Sequence, residues 1–220
     1  MKLAIIIPAY NEAEKISSVV FGVRAAQPES LIVVVDDGSV DATAELAVSA
    51  GAEVLRHKIN RGQGAALKTG IDYAFRRQVD AAVFFDADGQ MEPSDIKLLI
   101  DRLAEGYDAV LGSRNLGRAL NMPLTKKITK KLALYFTRLT TGLKLTDTHN
   151  GFQAWTAKSL QQLNLGQDRQ AYASEVLHEI KRLKLKYCEV PVTIHYTDYS
   201  IKKGQSIWNA FGILWDLLIK

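Results

Sequence analysis

The chain has 220 residues, with 28 Lys and Arg against 24 Asp and Glu, for a net charge of +4. Hydrophobic residues make up 47% and charged residues 24%, a soluble globular mix that excludes a disordered tail, a collagen-like fibre and a disulfide scaffold. The charge excess is mild and shows no dense basic stripe with interleaved aromatics, so no nucleic-acid partner is expected.

In chain order, residues 3–7 are apolar and β-branched and predict a buried strand. A helix is expected over about 12–26, then a second buried strand over 31–35. Ser39 or Asp41 suits the cap of the next helix, which should end near Gly51. Residues 53–56 read as a short third strand, and a Gly-rich turn at 61–64 opens a helix to about Arg77. Residues 81–85 form a fourth strand, Pro93 suits the first turn of a helix to Glu105, and 109–112 form a fifth strand. This alternation predicts an α/β fold: a mostly parallel central sheet with helices on both faces. Ligands in such sheets sit beyond the carboxyl ends of the strands.

The second half is less regular. Residues 125–140 predict a helix whose apolar stripe is Ile128, Leu132, Tyr135 and Leu139, with Lys127, Lys131 and Arg138 on another face. A helix over 173–183 and a strand over 187–196 follow. With no repeat and no Pro/Ser-rich linker, a single domain over 1–220 is expected, divided into 1–115, 116–206 and an amphipathic helix over 207–220. The run 3–9 is too short for a signal peptide. As a helix, the run 207–219 spans about 20 Å against the ~30 Å of a bilayer core, and Asn209 and Asp216 interrupt it. The lone Cys188 forms no internal disulfide, which points to the cytosol, with the inner face of the membrane as a peripheral site.

Four polar clusters follow strand ends. Asp86-Ala87-Asp88-Gly89-Gln90 brings two carboxylates two residues apart, the oxygen donors that Mg²⁺ takes alongside substrate phosphates. It reads equally as an acidic turn capping the next helix. Asp36-Asp37-Gly38-Ser39 suits a ribose or base edge, or a plain tight turn. Asn60-Arg61-Gly62-Gln63-Gly64 allows close backbone approach to an anion but is neither a Walker A loop nor a dinucleotide fingerprint. In Gly112-Ser113-Arg114, the arginine suits a phosphate clamp or a surface ion pair.

Taken in order with Pro8-Ala9-Tyr10-Asn11-Glu12, these clusters resemble the family 2 glycosyltransferases, nearest the branch of dolichyl-phosphate mannose synthase and bacterial polyprenyl-phosphate glycosyltransferases. The resemblance runs from residue 3 to about 206. It implies a nucleotide-diphospho-sugar transferase fold of the GT-A type. It implies that Pro8, Tyr10 and Glu12 hold the base and ribose, with Asp36 on the uridine or guanosine of a UDP- or GDP-sugar. Asp86, Ala87, Asp88 and Gln90 would line the donor site, with Asp86, Asp88 and Gln90 binding Mg²⁺ or Mn²⁺. Arg114 would lie near the donor or acceptor phosphates.

Asp147-Thr148-His149-Asn150-Gly151-Phe152 resembles a segment lining the acceptor side in this branch. Glu189-Val190-Pro191-Val192 and Lys203-Gly204-Gln205-Ser206 resemble its closing strand and acceptor loop. Where the mannose synthases have an Arg-rich stretch, this chain has Lys202 and Lys203, which leaves the sugar and the acceptor open. The implied reaction is an inverting, metal-dependent transfer of a hexose to a polyprenyl phosphate. The alternatives are transfer to a saccharide hydroxyl in glycan synthesis, and a non-catalytic nucleotide-binding module. A lipid phosphate is already ionised near neutral pH and needs no strong base, whereas a sugar hydroxyl does. Asp147 and Glu175 are the candidate bases, each equally suited to a structural role. In the tail, Ile207, Phe211, Leu214 and Leu218 share one face, suited to the protein body, a membrane-protein partner or an anionic membrane.

Overall fold

The computed structural model describes residues 1–148, 150–164, 172–197 and 199, without the side chains of Thr125, Lys126 and Ser174. The strand β1 (Leu3–Ala9) is apolar throughout, as a strand buried on both faces must be. It pairs in parallel with β2 (Leu31–Asp36) on one side and β4 (Ala81–Phe84) on the other, and β2 pairs in parallel with β3 (Glu53–Arg56). Three further strands complete a seven-stranded sheet of order β3-β2-β1-β4-β6-β5-β7: β5 (Ala109–Leu120), β6 (Gln153–Thr156) and β7 (Tyr187–His195). Strand β6 runs antiparallel to both its neighbours, while β5 and β7 are parallel.

The strand period of two divides the interior into two cores. Ile5, Ile7, Val83 and Phe85 point to one face, where Ile16 and Val20 of α1 (Ile16–Ala26) and Leu99 of α4 (Ile96–Ala104) cover them. Ala4, Ile6, Ala82 and Phe84 point to the other, under Leu67 and Ile71 of α3 (Gln63–Arg76) and Val176 and Ile180 of α7 (Tyr172–Arg182). Helix α3 lies close because Gly70 has no side chain: a Cβ there would sit 2.4 Å from Ile6 Cγ2. The remaining helices are α2 (Thr43–Ser49), α5 (Leu124–Thr141) and α6 (Ala157–Gln162), and a 3₁₀ turn over Pro93–Asp95 leads into α4.

Several sequence-based expectations are corrected. Helix α1 begins at Ile16 rather than residue 12, because Glu12 N–H donates to Thr43 Oγ1 and Ala13 N–H to Asp41 Oδ2, which ties residues 12–13 to the loop before α2. Of the two candidate caps, Asp41 accepts from Thr43 N–H at the start of α2, whereas Ser39 accepts from Asn11 N–H. Strand β5 does not stop at Gly112 but runs to Leu120, following β7 past an irregularity between Ser113 and Arg118. The apolar stripe on the 125–140 helix is present on α5, but it faces outward. Among the described residues, no helix is long and apolar enough to cross a membrane. The amphipathic helix expected over 207–220 lies outside the described residues.

Candidate active site

The chain leaves β1 toward β2 and β3, then returns on the other side of β1 as β4. The crevice beyond the carboxyl ends of β1 and β4 is therefore the switch point of the sheet, where ligands bind in open α/β folds. Pro8 lies within β1, and Tyr10 beyond it is 42% exposed. Glu12 is buried on the β1 side, and Asp36 is fully buried at the end of β2. Asp36 Oδ1 accepts from Ser39 N–H, and Oδ2 lies 3.0 Å from Arg56 Nε without a hydrogen bond. Asp86, buried Ala87, Asp88 and Gln90 follow β4.

The Asp86–Gln90 turn is clamped from below. Asp86 N–H donates to Met91 Sδ, Gln90 N–H to Asp88 Oδ1, and His195 N–H of β7 to the Gln90 carbonyl. Gln63, the first residue of α3, donates its side-chain amide to Asp86 Oδ1 at 3.0 Å. Its loop is held in turn by Asp37, which accepts from Arg61 N–H and Gly62 N–H and pairs with His57 Nδ1 at 2.7 Å. Asp37 thus braces the loop that presents Gln63, while Asp36 sits apart against Arg56.

Burial, and then the charge of Asp88, push the Asp86 carboxyl up to about 7, against the opposing pull of Arg114 and Gln63. Its Oδ2 receives no hydrogen bond from the described residues. Two crowded carboxylates with an open oxygen are the donor set a hard divalent cation takes. No three His, Cys, Asp or Glu side chains among the described residues group closely enough to hold a metal by themselves.

The Asp86 shift sets a pH signature. In the unfolded chain the carboxyl returns to an ordinary value of about 4, so between about pH 4 and 7 the folded chain holds a proton that the unfolded chain lacks. The stability this supplies is full at low pH and is lost as pH rises through about 7. Asp86→Asn is therefore expected to melt higher than the parent at about pH 8 without metal, by about 2–4 °C per kcal/mol, and to match it near pH 4. Melting curves of both proteins across pH in chelator check this; curves separated by a constant offset would contradict it.

A second buried polar cluster is built on Arg114, in β5 and 7% exposed. Its Nε donates to Asp147 Oδ2 at 2.6 Å, its N–H to the same oxygen at 3.0 Å, and its Nη1 to Tyr196 Oη at 2.8 Å. Asp147 is buried too, and its Oδ1 accepts from Thr148 N–H. Glu189 of β7 accepts from Thr146 N–H and Asp147 N–H, fixing this loop to the sheet. Asn150 donates to the Gly112 carbonyl. Glu175 lies in the first turn of α7. His149, Lys202, Lys203 and Ser206 lie outside the described residues.

Gly151 joins the two sides. A Cβ there would sit 2.8 Å from both carboxylate oxygens of Asp86. Gly151→Ala is expected to push that carboxylate aside, raise the Mn²⁺ concentration needed for half-maximal transfer and lower turnover by about tenfold, short of the 10² that a 1 Å misplacement can cost. A Mn²⁺ titration of the variant checks this; parental values would show that the carboxylate has room.

Sequence reasoning missed several groups here. Tyr199 donates to Glu12 Oε2 at 2.8 Å, with Lys15 Nζ 5.3 Å from its ring centre, which ties residue 199 to the segment after β1. Buried Tyr172, at the start of α7, stands close enough to Asp86 for the carboxylate to raise its pKa further, after burial. Gln63 and Gly151 stood inside motifs but were given no role of their own. No local signal marks these pairings, because their partners lie 23 to 187 residues away in sequence.

Comparison with known proteins agrees with this architecture. Residues 4–163 match Glycosyl transferase family 2. The UDP-N-acetylglucosamine–dolichyl-phosphate N-acetylglucosaminyltransferase of Methanococcus voltae is 34% identical over 98% of this chain and 94% of its own length. The undecaprenyl-phosphate mannosyltransferase of Micrococcus luteus is 32% identical over 88% of this chain and 83% of its own. Glucosyl-3-phosphoglycerate synthase from Mycobacterium tuberculosis, solved with Mn²⁺ and UDP-glucose, superposes with a TM-score of 0.75 at 20% identity, over 99% of this chain and 76% of that one. This likeness shows the GT-A fold expected from the sequence. The chain therefore belongs to glycosyl transferase family 2 and is a glycosyltransferase, nearest the branch that holds these polyprenyl-phosphate enzymes.

Proposed function

We propose that the enzyme moves a hexosyl group, with inversion, from a GDP- or UDP-sugar to a polyprenyl phosphate at a membrane surface. The observation that carries this reading is the Asp86–Asp88 pair at the switch point, with buried Arg114 close enough to act on Asp86 electrostatically. The names of the relatives support the acceptor: both act on a lipid phosphate.

In this reading, Pro8, Tyr10, Glu12 and Asp36 bind the nucleoside, and Asp86, Ala87, Asp88 and Gln90 face the diphosphate. Asp86, Asp88 and Gln90 would hold a divalent cation, which when bound would supply charge neutralisation to the leaving diphosphate. Gln63 fixes the orientation of Asp86, and Asp37 fixes the loop of Gln63. Arg114 turns its charge toward the phosphates. Asp147 is the residue that positions it, since the carboxylate is engaged by Arg114 and Thr148. A carboxylate so engaged is a poor general base, which favours an acceptor already ionised over a sugar hydroxyl. Lys202, Lys203 and Ser206 are assigned to the acceptor loop.

The test is transfer from labelled UDP- and GDP-sugars, with Mn²⁺, to a phosphorylated polyprenol and, in parallel, to free oligosaccharides. Label in the lipid-phosphate product supports the reading. Label only in oligosaccharide would replace the acceptor, and no turnover of any donor would leave a nucleotide-binding module. A thermal-shift screen of nucleoside diphosphates identifies the base, because a ligand that binds only the native chain raises its melting temperature.

A further inference from the structure

Two basic residues at the end of β3 face two carboxylates at the end of β2. Arg56 Nε lies 3.0 Å from Asp36 Oδ2, and His57 Nδ1 lies 2.7 Å from Asp37 Oδ1. The backbone sets this register, because His57 N–H donates to the Asp36 carbonyl. The side chains of His57 and Asp37 are 10% and 4% exposed, against 48% for Arg56, so the His57 pair is made largely out of water. A carboxylate accepts and does not donate, so Nδ1 carries the hydrogen. The other ring nitrogen, Nε2, lies 2.9 Å from Thr69 Oγ1 of α3. An imidazole engaged at both nitrogens cannot turn without losing both partners, so the ring is a rigid strut between β2 and α3.

Helix α3 is thereby held at two points. Asp37 takes Gly62 N–H at the helix cap, and His57 meets Thr69 seven residues later. Seven residues make about two turns, so the two anchors share one side of the helix and stand about 10 Å apart. Gly70, the next residue, lets the helix lie directly against Ile6 of β1. A helix pinned at its cap alone could tilt about that point; the second anchor removes the freedom. The cap needs this support, since Gly62 sits at φ +101° and brings no side chain to stiffen the loop. The group fixed by the arrangement is Gln63, beside the first anchor, whose amide donates to Asp86 Oδ1.

We infer that His57 is a positioning residue for the Asp86 carboxylate, setting the pose of α3, and with it Gln63, through Asp37 at one ring nitrogen and Thr69 at the other. The inference rests on the reading of Asp86 as a cation ligand, and adds to it a residue that touches neither cation nor substrate. Outer groups that orient ligating side chains govern metal affinity, commonly by 10–100-fold. His57 acts through two intervening residues, which places its effect at the lower end of that range.

The test is Mn²⁺ binding to the full chain, read by electron paramagnetic resonance with UDP and separately with GDP, against protein-free blanks and without any acceptor. His57→Ala is expected to weaken binding about tenfold, and Gln63→Ala at least as much. The double variant should bind no more weakly than Gln63→Ala, because both act along one path. His57→Asn should recover most of the loss, since its amide can still donate to Asp37. A melting curve of each variant accompanies the titration. A lowered melting temperature with parental Mn²⁺ affinity in His57→Ala would make the residue purely structural and overturn the inference. So would a double variant that loses the product of the two single losses, or a His57→Asn variant no better than Ala. A parent that binds no Mn²⁺ with either nucleotide would overturn the cation reading and the inference with it, an outcome distinct from parental binding that is indifferent to His57.

Discussion

Asp88→Ala is expected to lower sugar transfer by at least about 10²–10³-fold, the range typical of removing one preorganised electrostatic group, while the fold persists. Asp88 stands in the turn after β4, where its Oδ1 accepts from Gln90 N–H. Its charge acts on Asp86, where it is the second cause of the raised carboxyl after burial. Removing it leaves Asp86 as the lone carboxylate of the pair. Asp88→Asn separates shape from charge, because the amide oxygen still accepts from Gln90 N–H. A loss shared by Asn and Ala assigns the effect to charge; a loss confined to Ala assigns it to the turn. Turnover of labelled donor against a Mn²⁺ titration, beside a thermal melt, is the measurement. Parental turnover in both variants would remove Asp88 from the reaction.

The carboxylate pair was legible because its strand is. Val83, Phe84 and Phe85 form a short apolar run that must end in the crevice, so the residues after it arrive there by chain geometry alone. The same logic made β1 and β2 plain: strands buried on both faces read as unbroken apolar runs. Strand β6 was invisible for the opposite reason. Gln153–Thr156 is four residues long, opens on a buried glutamine and is held only by its two antiparallel neighbours. The extension of β5 past Ser113 likewise depends on β7, which pairs again from Arg118 onward. Helix α5 shows a different limit. Periodicity revealed an apolar face but not whether anything covers it, and here Thr137, Thr141 and Leu134 face inward while Leu124, Leu132 and Leu139 face out. Buried hydroxyls on the inner face satisfy one another and the backbone, as in the bonds from Thr141 Oγ1 to the Thr137 carbonyl and between Thr137 and Thr148.

Asp147→Ala is expected to lower the melting temperature by about 6–20 °C. Removing one partner from a buried ion pair costs about 3–5 kcal/mol, and a chain of this size loses about 2–4 °C per kcal/mol. The magnitude follows from burial: Arg114 is 7% and Asp147 6% exposed, so the guanidinium would lose its carboxylate partner, keep its bond to Tyr196 and not be rehydrated in place. A surface pair at the same 2.6 Å would give no more than about 1 kcal/mol. The double change Arg114→Met with Asp147→Leu removes both charges and is expected to melt above Asp147→Ala, because the cost lies in the orphaned charge rather than in the lost attraction. Transfer separates the two roles. Asp147→Asn still accepts from Thr148 N–H and keeps the loop that Glu189 fixes, so it should fold better than Ala yet transfer slowly, its Arg114 no longer held in place. A shift in melting temperature of less than a degree for Asp147→Ala would mean that water reaches Arg114. An Asn variant with parental turnover would mean that the orientation of Arg114 does not matter to the phosphates it is proposed to meet.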